Sequence, residues 1–187
     1  MAYLTYIIDN YENLPNISIF LHAHRDGWPA AWHTDNSHYS NPWAVQNLKL
    51  STVETHGFVN LRCNWVPGCP AEIQPFRKTP EPDESDVHKN LERIFARVWK
   101  EIFGAEAVVP DKIGTPCCAQ FAVTRDAVKK RSKIEWEGYR NWLLKTDEED
   151  DISGRVFEFT WHILFGREVV MCKEYRACYC EVYGKRC

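Results

Sequence analysis

Residues 18–40, SIFLHAHRDGWPAAWHTDNSHYS, contain four of the chain's seven histidines: His22, His24, His33 and His38. Such a stretch could bind zinc, because H-x-H followed by further histidines supplies the required ligands, although the chain contains neither HExxH nor paired CxxC motifs. It could also be a hydrogen-bonded loop with Trp28 and Trp32 as core anchors. We favour an acid/base and substrate-orienting role, because neutral imidazole carries protons near pH 7.

Glu158 and His162 are four residues apart in a segment with helical periodicity. That spacing places both side chains on one face of a helix, where a carboxylate beside an imidazole can act as a base with its orienting partner. The flanking residues, among them Trp161, are apolar, and buried ionisable groups are uncommon without a purpose. Ordinary surface pairs have the same spacing, so a catalytic and a structural role for Glu158 both stay open.

The chain has eight cysteines, and because no secretory signal is visible we expect buried free thiols by default. Cys117 and Cys118 are adjacent, which is a poor spacing for chelating one zinc ion or for a disulfide, and either could be a nucleophile. A C-terminal cluster could form a small metal site or a disulfide, but its spacing is not specific: Cys172, Cys178, Cys180 and Cys187. We predict no metal ion and no cofactor.

The segment 125–133, RDAVKKRSK, is basic, although the formal net charge of the chain is −3. If the segment is helical, Arg125, Lys129 and Lys133 form a stripe at four-residue spacing, flanked by Lys130 and Arg131. Stacked like charges destabilise a helix, so a polyanionic partner such as RNA would explain the stripe. A solvated helix face is the alternative.

The elements that position these residues can be inferred from hydrophobic patterning. Apolar runs predict buried strands at 17–23, 57–63 and 117–124, and periodicity predicts helices at the N-terminus, 85–103, 125–145 and 153–166. This alternation favours an α/β fold, a single layered domain over 1–187 with a mostly parallel sheet flanked by helices. His22 and His24 then lie past the carboxyl end of the first strand, where such folds usually place their chemistry. A Pro-rich loop is expected at about 64–84 and a Cys-rich tail at about 169–187.

Composition limits the class of protein. At 187 residues and 44% hydrophobic, the chain can bury one sizeable core. No long apolar run and no basic leader are visible, so we expect neither a membrane span nor a signal peptide, and a cytoplasmic location. The slightly negative net charge gives no overall attraction to nucleic acid.

Several motifs spread over nearly the whole chain carry a family resemblance: YLTYIIDNYENLP, IFLHAHRDGW, WHTDN, GFVNLRCNWVPGCP, PCCAQFAVTRDAVKKR, YRNWLLKT and SGRVFEFTWHILFG. They resemble a family of fungal proteins of unknown function that includes the arginine-containing cyclodipeptide synthases, which build cyclic dipeptides from aminoacyl-tRNAs. The family is also distantly similar to GT-A nucleotide-sugar glycosyltransferases. This resemblance implies a reduced GT-A, Rossmann-like fold.

The resemblance further implies a tRNA-dependent cyclodipeptide synthase that uses arginyl-tRNA and a second aminoacyl-tRNA. An aminoacyl-tRNA is an activated ester, so the enzyme must position two aminoacyl ends, move protons and stabilise an oxyanion. The catalytic residues are then Glu158, His22, His24 and His162. A guanidinium substrate favours carboxylates and aromatic faces, and the substrate-binding residues are Asp35, His33, Trp32, Trp161 and Gln120. The tRNA-binding residues are Arg125, Lys129, Lys130, Arg131 and Lys133.

Two alternatives stay open. A GT-A-like glycosyltransferase would carry a metal-binding D-x-D after its strand, but the chain has His22-Ala23-His24 at that position and no D-x-D elsewhere. That departure weakens the glycosyltransferase hypothesis. The second alternative is a non-catalytic RNA-binding module.

Overall fold

The computed structural model describes residues 1–78 and 87–187, and within them it contains one small sheet. Its strands are β1 (Ile17–Phe20), β2 (Phe58–Asn60) and β3 (Phe121–Thr124), in the order β1-β3-β2. β3 runs antiparallel to both neighbours. The predicted mostly parallel sheet flanked by helices is therefore wrong, and with it the reduced GT-A architecture. A strand that is buried on both faces has the same apolar run whichever way its neighbours point, so the sequence pattern did not reveal the direction.

Helices make up most of the remaining regular structure. They are α1 (Ala2–Asp9), α2 (Asn41–Asn47), α3 (Leu50–His56), α4 (Val87–Phe103), α5 (Arg125–Val128), α6 (Lys133–Lys145), α7 (Asp150–Glu158), α8 (Trp161–Leu164) and α9 (Tyr175–Tyr183), with a short 3-10 turn at Tyr11–Asn13. The helices predicted at 125–145 and 153–166 are each divided in two, and the Cys-rich tail contains α9. The predicted Pro-rich loop is irregular as far as residue 78, and its remainder lies outside the described residues.

Local sequence explains several helix ends. The Ser40 hydroxyl accepts the backbone N–H of Trp43 at the start of α2, and Ser132 and Glu135 form a reciprocal capping box at the start of α6. Thr160, between α7 and α8, donates its hydroxyl to the carbonyl of Val156 at 2.7 Å. Threonine hydroxyls that bond back to the preceding turn compete with the regular ladder, and the predicted single helix ends here at Glu158.

The sheet is buried on both faces. Phe121 and Val123 of β3 pack into an aromatic cluster with residues of α1, α6 and α8. Ala122, which points to the opposite face, packs with Tyr179 and other residues of α9. A further apolar cluster joins α4 to α7. Because β3 is packed on both faces, it also fixes the position of the segment that precedes it, residues 117–120. Among the described residues, no helix is both long enough and apolar enough to cross a membrane.

All eight cysteines are described, and all are paired: Cys63 with Cys178, Cys69 with Cys172, Cys117 with Cys118, and Cys180 with Cys187. The default prediction of free thiols is wrong, because it rests on the lack of a visible secretory signal, whereas pairing depends on which cysteines the fold brings together. The expectation that Cys117 and Cys118 are poorly spaced for a disulfide is wrong as well. The first two disulfides tie the segment after β2 to the segment around the start of α9. Neither Cys117 nor Cys118 retains a thiol that could act as a nucleophile.

Candidate active site

A buried chain of polar side chains holds the loop after β1 in place. Gln120, just before β3, accepts the backbone N–H of His22 at 3.0 Å and donates to the hydroxyl of Thr34 at 3.0 Å. Thr34 donates to Asn41 at 2.6 Å, and Asn41 donates to the carbonyls of His22 and His24 at 3.3 and 2.7 Å. Gln120, which the family resemblance assigned to substrate binding, therefore positions the backbone that carries the histidines.

Three of the four histidines come together at this end of the sheet. The rings of His22 and His33 lie 4.2 Å apart between centroids, and those of His24 and His33 lie 5.8 Å apart. His38 is exposed and is held in its loop by a backbone contact with Asn36. Trp28 is 70% exposed and Trp32 is 39% exposed, so neither is a core anchor and the interpretation of this stretch as a tryptophan-anchored loop is wrong.

Two histidines of the cluster, His22 and His33, have a pKa below the ordinary value, which favours their neutral form. Burial and, to a smaller extent, the nearby His22, His24 and Arg62 together lower the pKa of His33 to about 4, against an opposing hydrogen bond with the Ala30 backbone. Burial also lowers the pKa of His22, opposed by the Cys118 backbone and the Glu158 carboxylate. The buried Nε2 atom of His33 has no hydrogen-bond partner among the described residues. A neutral imidazole with a free nitrogen can accept a proton.

Glu158 lies beside this cluster at the end of α7. Its Oε1 accepts the backbone N–H of Cys118 at 2.7 Å, and its Oε2 lies 3.9 Å from the guanidinium of Arg155. The Glu158 side chain is 17% exposed. The vicinal disulfide thus presents a backbone donor that orients the carboxylate.

A metal ion has little to bind at this position. The Cys117 and Cys118 sulfurs and a Glu158 oxygen lie within 4.8 Å of one another, which is close enough for shared ligation. The two sulfurs are bonded to each other, however, and the thiolate is the form of cysteine that binds metals. These residues fit a metal ion only if the disulfide is reduced.

A cavity of about 240 Å³ opens next to His22. Its walls include Tyr3 and Leu4 of α1, Phe157 of α7 and Trp161 of α8. Trp161 itself is 5% exposed and packs against Phe121 and Phe165. The cavity therefore combines an imidazole with an aromatic wall, although Trp161 serves the core as well.

Asp35 and Trp32 are engaged by the protein itself. Oδ2 of Asp35 accepts the backbone N–H groups of Cys63 and Asn64 at 3.0 and 2.6 Å, and the Tyr179 hydroxyl donates to Oδ1 at 3.0 Å. The guanidinium of Arg62 lies over the Trp32 ring, 5.3 Å from the ring centroid. The carboxylate and aromatic face assigned to a substrate guanidinium thus already have protein partners.

Sequence reasoning missed Arg62, which is 4% exposed. Its guanidinium donates to the carbonyls of Trp32 and His33 at 3.2 and 3.1 Å and to that of Val66 at 2.9 Å. The available signal was an arginine within the otherwise apolar run GFVNLRC. Buried arginines are rare without partners, so its position in a predicted strand should have marked it.

Comparison with protein families gives one match. A family model described as "Protein of unknown function (DUF3431)" matches residues 1–181. The chain belongs to this family. Neither the curated proteins nor the solved structures contain a match.

In this DUF3431 chain, His162 does not join Glu158. It is 1% exposed in α8, beyond the break at Thr160, and its Nε2 lies 3.2 Å from the carbonyl of Val169. Burial lowers the pKa of His162 to about 4. The predicted pairing of the two side chains on one helix face is therefore wrong, because the helix does not continue from one residue to the other.

The burial of His162 makes acid sensitivity an expected property. Its pKa is about 4 in the folded protein against 6.5 ordinarily, so below pH 6.5 the unfolded chain binds a proton that the folded chain excludes. As the pH is lowered from 6.5 toward 4, the free energy of unfolding should therefore fall by up to about 1.4 kcal/mol per pH unit. When the free energy of unfolding is measured with urea at several pH values in this range, its dependence on pH should be weaker in His162→Gln than in the exposed control His38→Gln. Equal slopes would assign the acid sensitivity to other groups.

The basic segment does not form the predicted stripe. α5 ends at Val128 and α6 begins at Lys133, so Arg125, Lys129 and Lys133 do not share one helix. Arg125 binds Asn16 at 2.6 Å, and Arg131 binds the Leu164 carbonyl at 3.2 Å and Glu135 at 3.2 Å. Lys129 and Lys130 are exposed. Because Ile17 pairs with Thr124 and Phe20 with Phe121, Arg125 lies at the end of the sheet opposite to His22.

Proposed function

We propose that the chain is an aminoacyl-tRNA-dependent transferase that forms an arginine-containing cyclic dipeptide, the activity that its motif resemblance implies. The observation that carries the proposal is the grouping of His22 and His33 beside Glu158. It offers neutral imidazole and a carboxylate next to a cavity of about 240 Å³ that is lined by His22.

The chemistry requires proton transfer and positioning. The α-amine of one aminoacyl group attacks the ester carbonyl of the other, His22 accepts the amine proton, and the departing ribose oxygen takes up a proton. A second, intramolecular aminolysis closes the ring and releases the second tRNA. Both steps break an ester and form an amide, so no thiol and no nucleotide hydrolysis are needed. Holding both acyl groups in one cavity would supply much of the rate.

Glu158 is our proposed contact for the cationic part of the substrate. Its Oε2 is only loosely engaged, 3.9 Å from Arg155, and can accept from an ammonium or a guanidinium. Trp161 and Tyr3 provide aromatic walls in the adjacent cavity. In this arrangement Asp35 and Gln120 support the loop that carries the histidines and do not contact the substrate.

Exposed cations at the other end of the sheet are our proposed contacts for the tRNA backbone. Arg125, Lys129 and Lys130 are exposed, and phosphate contacts of this kind carry affinity without sequence information. A four-residue strand spans about 13 Å, so a bound acceptor arm would run alongside the sheet to bring its aminoacyl end to His22. Arg131 and Lys133 are partly buried and contribute less.

The four disulfides concern the compartment in which the protein acts, and through it a second candidate. Disulfides persist in oxidising compartments and are rare in the cytosol, where tRNAs are charged. They argue for a protein of the secretory pathway over the predicted cytoplasmic location. There, the second candidate is an enzyme that transfers sugar from a nucleotide donor with the same acid/base group. It does not rely on the GT-A fold, which the antiparallel sheet excludes, and with no D-x-D in the chain side chains would have to hold the diphosphate.

Expression in two bacterial hosts tests the first candidate. Both hosts supply charged tRNAs, but only one has an oxidising cytosol that allows the disulfides to form. We expect an arginine-containing diketopiperazine in the medium of the oxidising host, detected by mass spectrometry and missing from the empty-vector control. Well-expressed, folded protein without any such product in either host would contradict the proposal.

The second candidate predicts a different result with purified protein. Calorimetric titration with nucleotide sugars, with and without Mn²⁺, should then show saturable binding, and the diketopiperazine should not be made. Binding that requires Mn²⁺ would contradict the metal-independent form of this candidate.

A further inference from the structure

A separate cavity of about 80 Å³ lies between β2, the segment 167–173 and α9. Its volume is well above the roughly 10–15 Å³ that a single water needs. Its apolar lining includes Phe58, Val59, Pro116, Met171 and Val182. Its polar lining includes two arginines, Arg62 and Arg167, together with His56, Asn60, Lys173 and Glu181. Apolar walls with a few convergent polar groups are typical of sites for small ligands.

Both arginines have an unused donor. The Nε atoms of Arg62 and Arg167 are buried and have no hydrogen-bond partner among the described residues. The terminal nitrogens of Arg62 are occupied by backbone carbonyls, and Arg167 donates to the His56 carbonyl at 3.1 Å. Because the guanidinium group stays charged at any ordinary pH, the two Nε–H groups remain hydrogen-bond donors without an acceptor among the described residues.

Nearby carboxylates do not supply that acceptor. Glu181, which also lines the cavity, is bound by Lys173 and lies 2.6 Å from Nε2 of His56. Glu168 approaches Arg167 at 3.6 Å from the solvent side and is 72% exposed. Asp35 attracts Arg62 electrostatically, but its oxygens accept from backbone N–H groups and from Tyr179.

We infer that this cavity binds a small carboxylic acid anion with a short alkyl tail. The carboxylate accepts from the free N–H groups of Arg62 and Arg167, and the alkyl group packs against Phe58, Val59 and Val182. Arginine pairs well with carboxylates in a dry environment. Inorganic phosphate also carries negative charge, but it has no apolar group that could pack against the apolar side chains of the cavity. The inference does not depend on the proposed function.

Calorimetric titration of the oxidised full chain tests this site. Butyrate is the probe, butylammonium is a cation with the same number of carbon atoms, and inorganic phosphate is an anion without an alkyl group. We expect saturable binding of butyrate, at least about tenfold tighter than either comparison ligand. This comparison uses the unmodified protein, so it does not depend on how a variant folds. Binding of butyrate no tighter than of butylammonium, or no tighter than of phosphate, would overturn the inference.

Two variants then locate the binding. Arg167→Gln should weaken butyrate binding by about tenfold or more, because it removes a charged donor. The matched control is Arg97→Gln, which changes an exposed arginine whose partners are Glu101 and Glu148, and it should bind butyrate as the unmodified protein does. Equal affinity in Arg167→Gln, with the fold verified by circular dichroism, would overturn the assignment to this cavity.

Discussion

On the proposed function, Glu158→Gln is expected to lower the rate of diketopiperazine formation by about 10²–10⁴-fold and to leave the fold intact, because it removes the carboxylate that orients the substrate and supports His22 as the base. The glutamine carbonyl can still accept the Cys118 N–H that Oε1 accepts now at 2.7 Å, so the local geometry is kept while the negative charge is lost. That charge raises the pKa of His22. The acidic limb of the pH–rate profile should therefore move to lower pH in the variant. Initial rates with purified aminoacyl-tRNAs measure both effects.

Glu101→Gln is the matched control for this substitution. Glu101 is a surface carboxylate that accepts from Arg97 and from the indole N–H of Trp142, far from His22 along the chain. It should show the unmodified rate and pH profile. If Glu158→Gln also keeps the unmodified rate, Glu158 takes no part in the mechanism. A lost rate together with a lower thermal midpoint would instead assign Glu158 a structural role.

Replacing Cys63 and Cys178 by alanine together is expected to lower the free energy of unfolding by about 2–5 kcal/mol. This disulfide joins residues 115 apart in the sequence, so its loss restores a large amount of conformational freedom to the unfolded chain. Its two cysteines are also buried, in the cluster between the sheet and α9. Urea unfolding of the oxidised protein gives the measurement.

The Cys180–Cys187 disulfide provides the comparison. It spans only seven residues, so by the same chain-entropy argument its removal should cost about 2 kcal/mol less than removal of Cys63–Cys178. Equal losses from the two double variants would contradict the entropic account. Equal stability of the unmodified protein with and without a reducing agent would contradict a structural role for both.

The strands could be located from the sequence, but their arrangement could not. Each of the three apolar runs contains an observed strand, because buried strands are rich in branched and aromatic residues at any position in a sheet. Which strands pair depends on contacts between residues about 100 apart, such as Ile19 with Ala122. Alternation of helices with strands therefore suggested parallel pairing that the chain does not use.

Part of the candidate site was also accessible to sequence reasoning. H-x-H at the end of a strand does bring His22 and His24 toward His33, since a buried strand fixes the start of the loop that leaves it. The link between Glu158 and Cys118 was not accessible, because it needs the fold of a segment 40 residues away. The burial of Arg62 could have been inferred from its position in an apolar run, but its partners could not, because they are backbone carbonyls that have no signature in the sequence.

The position of β3 between β1 and β2 has a consequence for synthesis on the ribosome. β1 and β2 each pair with β3 and not with each other. Their backbone hydrogen-bonding groups therefore stay unpaired until residue 124, the last of β3, has left the exit tunnel. Unpaired edges of this kind are prone to pairing with other chains. The histidines become part of an ordered site only later still, when the segment that carries Glu158 emerges. A nascent chain interrupted before that point would therefore carry the imidazoles without the neighbouring carboxylate and would be prone to aggregate.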